Sequence, residues 1–182
     1  MRRLLIAAAL TLTLVSCEKQ LLQTTYDKQT TTIESFVSAR LKADETATLT
    51  RTGGAYRVTM NDTLDPAMDS LNYGGTVTFD YALYTLSGSS VSASNLVATS
   101  NADIASAAGW TLSDESQFGP VTKTLDSNML EGLRDGLFGV QPDDEAYILF
   151  TGKYAYGKTQ QGAIPSLSGL VYHVWIKSIS NE

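Results

Sequence analysis

Few residues in this chain could do chemistry unaided. A hydrolase needs a nucleophile beside a base, yet the single histidine, His173, alternates within an apolar stretch, and no Gly-x-Ser-x-Gly turn presents a serine. Asp143 and Asp144 could be drawn as a glycosidase pair, but Pro142 and Glu145 place them in a turn, where such charges are solvated. The single cysteine, Cys17, and the lone imidazole supply no soft ligand set for zinc, and no carboxylates have the spacing of a calcium loop. The expectation is a protein with no metal and no cofactor.

Cys17 has a different chemistry. Met1, Arg2 and Arg3 form a positive start, residues 4–14 are almost continuously apolar, and Leu14-Val15-Ser16-Cys17 ends the run with small residues before a thiol. The run falls well short of the roughly 20 residues that span a bilayer. Residues 1–16 therefore have the layout of a bacterial lipoprotein signal peptide, with Cys17 as the lipid attachment site. Diacylglycerol on the thiol and a palmitate-like acyl chain on the new amino terminus would anchor the protein stably, since two or more chains suffice. The expected location is extracytoplasmic, on an outer membrane or one facing the periplasm.

A formal net charge of -6 in 182 residues argues against nucleic acid as a partner, because phosphate-backbone binding needs basic surface. The lack of any second cysteine leaves an exported domain without disulfides, held by its core alone.

Residues 17–52 form a polar, threonine-rich tether through Thr32, followed by an amphipathic helix: Thr31 and Glu34 match a capping box, and Ile33, Phe36, Val37 and Leu41 share one side. From Gly53-Gly54 the period becomes two, with Tyr56, Val58 and Met60 on one face of a strand. Residues 61–72 look like a loop, and Val77, Phe79, Tyr81 and Leu83 alternate along a second strand. Residues 92–118 lack sustained periodicity and form an irregular insertion. A strand over 121–125 leads to Asp126-Ser127, an N-cap for a helix over 129–138 that aligns Leu130, Leu133 and Leu137 and ends at Gly139. Apolar strands over 146–151 and 170–179 flank a loop with Tyr154, Tyr156 and Pro165. The sum is a mostly antiparallel α+β domain over 53–182.

Within it, Asn128-Met129-Leu130-Glu131-Gly132-Leu133-Arg134-Asp135-Gly136-Leu137, Tyr154-Ala155-Tyr156-Gly157, Gly162-Ala163-Ile164-Pro165 and Leu170-Val171-Tyr172 follow one another as in the FKBP-type peptidyl-prolyl isomerases, which this chain resembles from about residue 74 to 179. The resemblance implies a twisted antiparallel sheet wrapped around one short helix, here with an extra N-terminal helix. It also implies an apolar basin for a proline ring. Met129 and Leu130 would stand at the helix entry, Leu133 on the helix, Ile164 in the loop, and Tyr81 and Tyr172 on strands. Tyr156 would supply a lid hydroxyl, with Tyr81 beside it in the catalytic role. The partners implied are proline-containing peptide or protein clients.

Three departures from the family pattern matter. After the Ser87-Gly88 turn the family usually places an aromatic followed by an aspartate, and the register puts Val91 and Ser92 there. Leu133 stands where a tryptophan is frequent, and Ser166 where a second proline is common. The resemblance therefore implies an isomerase or folding helper of weak activity, or a binding module of the same fold that has lost turnover.

Overall fold

The computed structural model of the chain describes residues 2–60, 67–112 and 118–182, with the side chains of 2–18 outside that description. Its elements are α1 (Arg2–Ala43), β1 (Thr48–Thr52), β2 (Ala55–Met60), β3 (Thr76–Thr85), β4 (Leu96–Thr99), α2 (Ala102–Ala107), β5 (Val121–Thr124), α3 (Glu131–Leu137), β6 (Glu145–Phe150) and β7 (Leu170–Ser180). The strands pair antiparallel in the order β1-β2-β6-β7-β3. β4 and β5 share the far edge of β3, against Ala82–Tyr84 and Thr76–Phe79 respectively.

Period two governs which helix each strand residue meets. Val77, Phe79 and Leu83 of β3, Ile148 and Phe150 of β6, and Tyr172 and Val174 of β7 pack with Leu133 and Leu137 of α3. Their neighbours Ala82, Tyr84, Tyr147, Leu149 and Val171 turn the other way, onto Ile33, Phe36 and Val37 of α1. The sheet is thus buried on both faces. This explains why Arg57 and Thr59 are buried along with Val58 between them: Arg57 reaches under α3, where its Nη1 donates to the carbonyls of Gly136 and Phe138 at 3.1 and 2.7 Å.

Three sequence expectations change here. The stretch between Cys17 and Thr32 is helical rather than a free tether, and α1 runs through the expected capping box. The hydroxyls of Thr24, Thr25, Thr30, Thr31 and Thr32 each donate to the carbonyl four residues earlier at 2.9–3.1 Å, which removes their competition with the helix. The sheet also starts at Thr48, because Gly53, at φ +56, turns β1 back onto β2. Within the insertion, β4 pairs with β3, and α2 is capped by Asn101, whose Oδ1 accepts from the Asp103 and Ile104 amides. The loop expected over 61–72 falls partly on 61–66, outside the described residues, as do 113–117 of the insertion.

His173 lies beneath α1, on the face away from α3. Its ring is stacked on Tyr147 at 4.0 Å and tilted against Trp175 at 3.9 Å, and its Nε2 is 2.7 Å from Glu145 Oε1. Burial lowers its pKa, and Arg40 lowers it further, against an opposing pull from Glu145. A histidine neutral in the fold but free to protonate when unfolded contributes its stability in full above about pH 6.5 and loses it as pH falls below that value. The thermal midpoint is expected to drop between about pH 7.5 and about pH 5.5, and to drop less in His173→Gln. Parallel pH profiles for the two proteins would contradict this.

Candidate functional site

The site follows from how closely α3 lies on β6. A Cβ added at Gly132 would meet the Phe150 ring at 2.2 Å, and one at Gly136 would meet Ile148 Cγ2 at 2.1 Å. These two glycines, four apart, put the helix backbone directly on the sheet. Leu137 is then fully buried, whereas Leu133, next to the first glycine, faces a cavity of about 540 Å³. The helix begins two residues later than expected. Asp126 Oδ1 accepts the Asn128 N–H at 2.8 Å and closes a turn, so that Met129 and Leu130 stand before the first helical residue. Both line the cavity.

Its back wall is aromatic. Phe79 and Tyr81 project from β3 and Tyr172 from β7, the Tyr81 and Tyr172 rings lying 6.0 Å apart at 44°, with Phe150 stacked 6.1 Å behind Tyr172. Tyr156 lines the cavity as well. Burial, and then the neighbouring Tyr156, raise the pKa of both Tyr81 and Tyr172, in Tyr172 far above the ordinary phenol range. These two groups stay protonated at neutral pH and can only be neutral donors or acceptors. Among the described residues, none of the three hydroxyls has a hydrogen-bond partner. The remaining wall is polar, formed by Thr122, Lys123 and Thr124 of β5 with Asp126 and Asn128.

Six of the sequence-predicted residues thus meet in one place: Tyr81, Met129, Leu130, Leu133, Tyr156 and Tyr172. Ile164 does not reach the cavity wall; it is buried in the same apolar core behind it. Val91 and Ser92 are elsewhere. Val91 packs with the cluster under α1, and Ser92 is exposed, its hydroxyl tied to Ser94 and Asn95 at 2.8 Å. The nucleophile and carboxylate alternatives also fall away from the cavity. His173 is on the other face of the sheet, and Asp143 and Asp144 form the turn before β6, where Asp144 accepts the Gln141 amide at 2.9 Å. Among the described residues, no three His, Cys, Asp or Glu side chains gather where they could hold a metal.

An apolar floor, an aromatic wall and unpartnered phenols suit a small ring flanked by peptide groups. Residues 69–177 match the model of the FKBP-type peptidyl-prolyl cis-trans isomerase family. The chain belongs to that family.

Solved FKBP structures share its fold. A structure of the three FKBP domains of wheat FKBP73 matches with a TM-score of 0.56 at 17% identity, over 74% of this chain and 51% of that one, so the match spans about half the length of the three-domain chain. FkpA from Escherichia coli gives 0.55 at 15% identity over 96% of this chain and 70% of its own. The N-terminal domain of FKBP42 from Arabidopsis thaliana gives 0.51 at 14%, over 74% and 93%. No curated protein sequence matches the chain.

The FKBP fold also corrects the register that placed Val91 and Ser92 at the pocket. The strand that pairs with β3 after the turn is β4, and its Val97 and Ala98 pack on the α3 side. Residues 86–95 lengthen the connection by more than the sequence pattern revealed. The departure itself survives the correction, because Leu96–Thr99 contains neither an aromatic nor an acid. Phe79 and the polar wall from β5 are pocket residues that the family motifs do not mark. Phe79 had a legible signal, lying two residues before Tyr81 on the same strand face. Thr122 to Thr124 had none, since nothing local says which strand β5 will join.

Proposed function

We propose that this protein is a peptidyl-prolyl cis-trans isomerase or folding helper of modest turnover, acting on X-Pro bonds of exported polypeptides and held to a bacterial membrane by lipid on Cys17. The observation that carries the catalytic reading is the cavity, in which Leu133, Met129 and Leu130 form a floor for a proline ring while the hydroxyls of Tyr81, Tyr156 and Tyr172 are left to the client.

Such a site needs no nucleophile. Rotation about X-Pro faces a barrier of roughly 18–20 kcal/mol, set by amide resonance. That resonance is polar, and water supports it. A dry basin withholds the support from the planar form more than from the twisted one, and a phenol O–H aimed at the rotating carbonyl adds stabilisation selective for the twisted state. Tyr81 and Tyr172, whose pKa values burial raises, are in the donor form at neutral pH.

The second reading is a binding module that holds proline segments without turning them over. The bare β4 strand favours it, because no acid there orients the twisted amide. Exchange NMR on a short X-Pro peptide with the full chain in detergent separates the two. Accelerated cis–trans exchange is expected; binding without acceleration would leave only the module.

Anchoring rests on the sequence around Cys17, whose side chain lies outside the described residues. Cys17→Ser is expected to shift the protein from the membrane fraction to the soluble or unprocessed one. Fractionation and migration like the wild type would overturn the lipid claim.

A further inference from the structure

We infer that Gln29 of α1 is a positioning residue for this site, its carboxamide stapling the base of the loop that carries Tyr156. The staple is a matter of geometry; its catalytic consequence rests on the function proposed above.

Gln29 is 123 residues from Gly152 and 138 from Leu167 in sequence, yet its side chain bonds both. Its Oε1 accepts the Gly152 N–H at 2.8 Å, and its Nε2 donates to the Leu167 carbonyl. The partner types fix the amide orientation, since one is a donor and the other an acceptor. No other uncharged side chain of this length offers both groups. The two loop ends it joins are already in contact: a Cβ on Gly152 would come within 2.6 Å of the Leu167 oxygen. Leu167 itself is held at φ +62, a left-handed conformation that a leucine keeps only when its surroundings impose it.

From this base the constraint reaches Tyr156 in one step. The Gly157 N–H donates to the Gly152 carbonyl at 2.8 Å, and the Gly157 carbonyl accepts the Leu167 N–H at 2.6 Å. The residue next to Tyr156 is therefore tied at both ends to the two residues that Gln29 clamps. The N-terminal helix is in this way a working part of the site. An event that lifts α1 off the sheet also releases the lid hydroxyl, so the same helix that leads back toward Cys17 governs how firmly the pocket is closed.

Gln29→Glu keeps the acceptor for Gly152 but sets a carboxylate oxygen against the Leu167 carbonyl. Gln29→Ala removes both bonds without adding charge. In the full chain, Gln29→Glu is expected to speed amide exchange at Gly157 and Leu167 by roughly tenfold, the scale of one lost hydrogen bond, and Gln29→Ala, which loses two, by more, with β7 amides unchanged. In isomerisation, kcat should fall several-fold at nearly constant KM, and the fall should vanish when Tyr156→Phe is already present. Unchanged loop exchange in both variants would overturn the inference, and so would losses that add in full to that of Tyr156→Phe. If the wild type proves not to isomerise, the proposed function falls, and the exchange measurement alone decides the staple.

Discussion

A chain that begins at Gly53 is expected to lose its cooperative unfolding transition. That cut removes β1, which pairs with β2 along its whole length, and strips α1 from the sheet. Ile33 and Phe36 are fully buried and Val37 nearly so, and each such side chain contributes about 1.5–3 kcal/mol of burial. Their loss would also bare Val58, Leu149 and Val171. Against a total stability of about 5–15 kcal/mol, the sum leaves little margin. The milder Phe36→Ala is expected to cost about 3–5 kcal/mol, with Arg40 losing one of the two rings beneath its guanidinium. Urea denaturation followed by tryptophan fluorescence checks both. A sharp transition in the chain starting at Gly53 would show that β2 to β7 and α3 suffice.

Tyr156→Phe is expected to lower kcat/KM for X-Pro substrates by about tenfold while leaving peptide affinity within about twofold, as fits a hydrogen bond made chiefly in the twisted state. The ring, and with it the cavity wall, remains. Tyr81→Phe should have a smaller effect on turnover, since it too keeps the ring and the neighbouring Tyr172, 6.0 Å away, still presents a hydroxyl on that wall. A rise in KM that accounts for the whole fall in kcat/KM, with kcat unchanged, would mean that Tyr156 only binds. No loss at all would remove the lid hydroxyl from the account.

Both predictions turn on features that were unevenly legible in the sequence. β3, β6 and β7 announce themselves through alternating or continuous apolar residues, and Gly132 with Gly136 marks a helix pressed against a sheet. The six converging pocket residues followed from motif order, because the segments that carry them keep the family spacing. What failed was whatever depends on non-local partners. The threonines before Ile33 suggest a spacer until α1 docks and their hydroxyls turn back onto the helix. Val91 and Ser92 were misplaced because the length of a connection before a four-residue strand is not fixed by any residue in it. The polar wall of β5 and the reach of Gln29 to Gly152 depend on contacts between segments far apart in the chain, for which neither composition nor periodicity leaves a trace.

The cavity between α3, β3 and β7 is proposed to receive a proline ring. Methyl-resolved NMR of the full chain in detergent, titrated with a short proline-containing peptide, tests it most directly. The Met129, Leu130 and Leu133 methyls are expected to shift together, and proline ring protons to show contacts to the Tyr81 and Tyr172 rings. Shifts centred on the α1 face around Val91 and Trp175, or none anywhere, would contradict it.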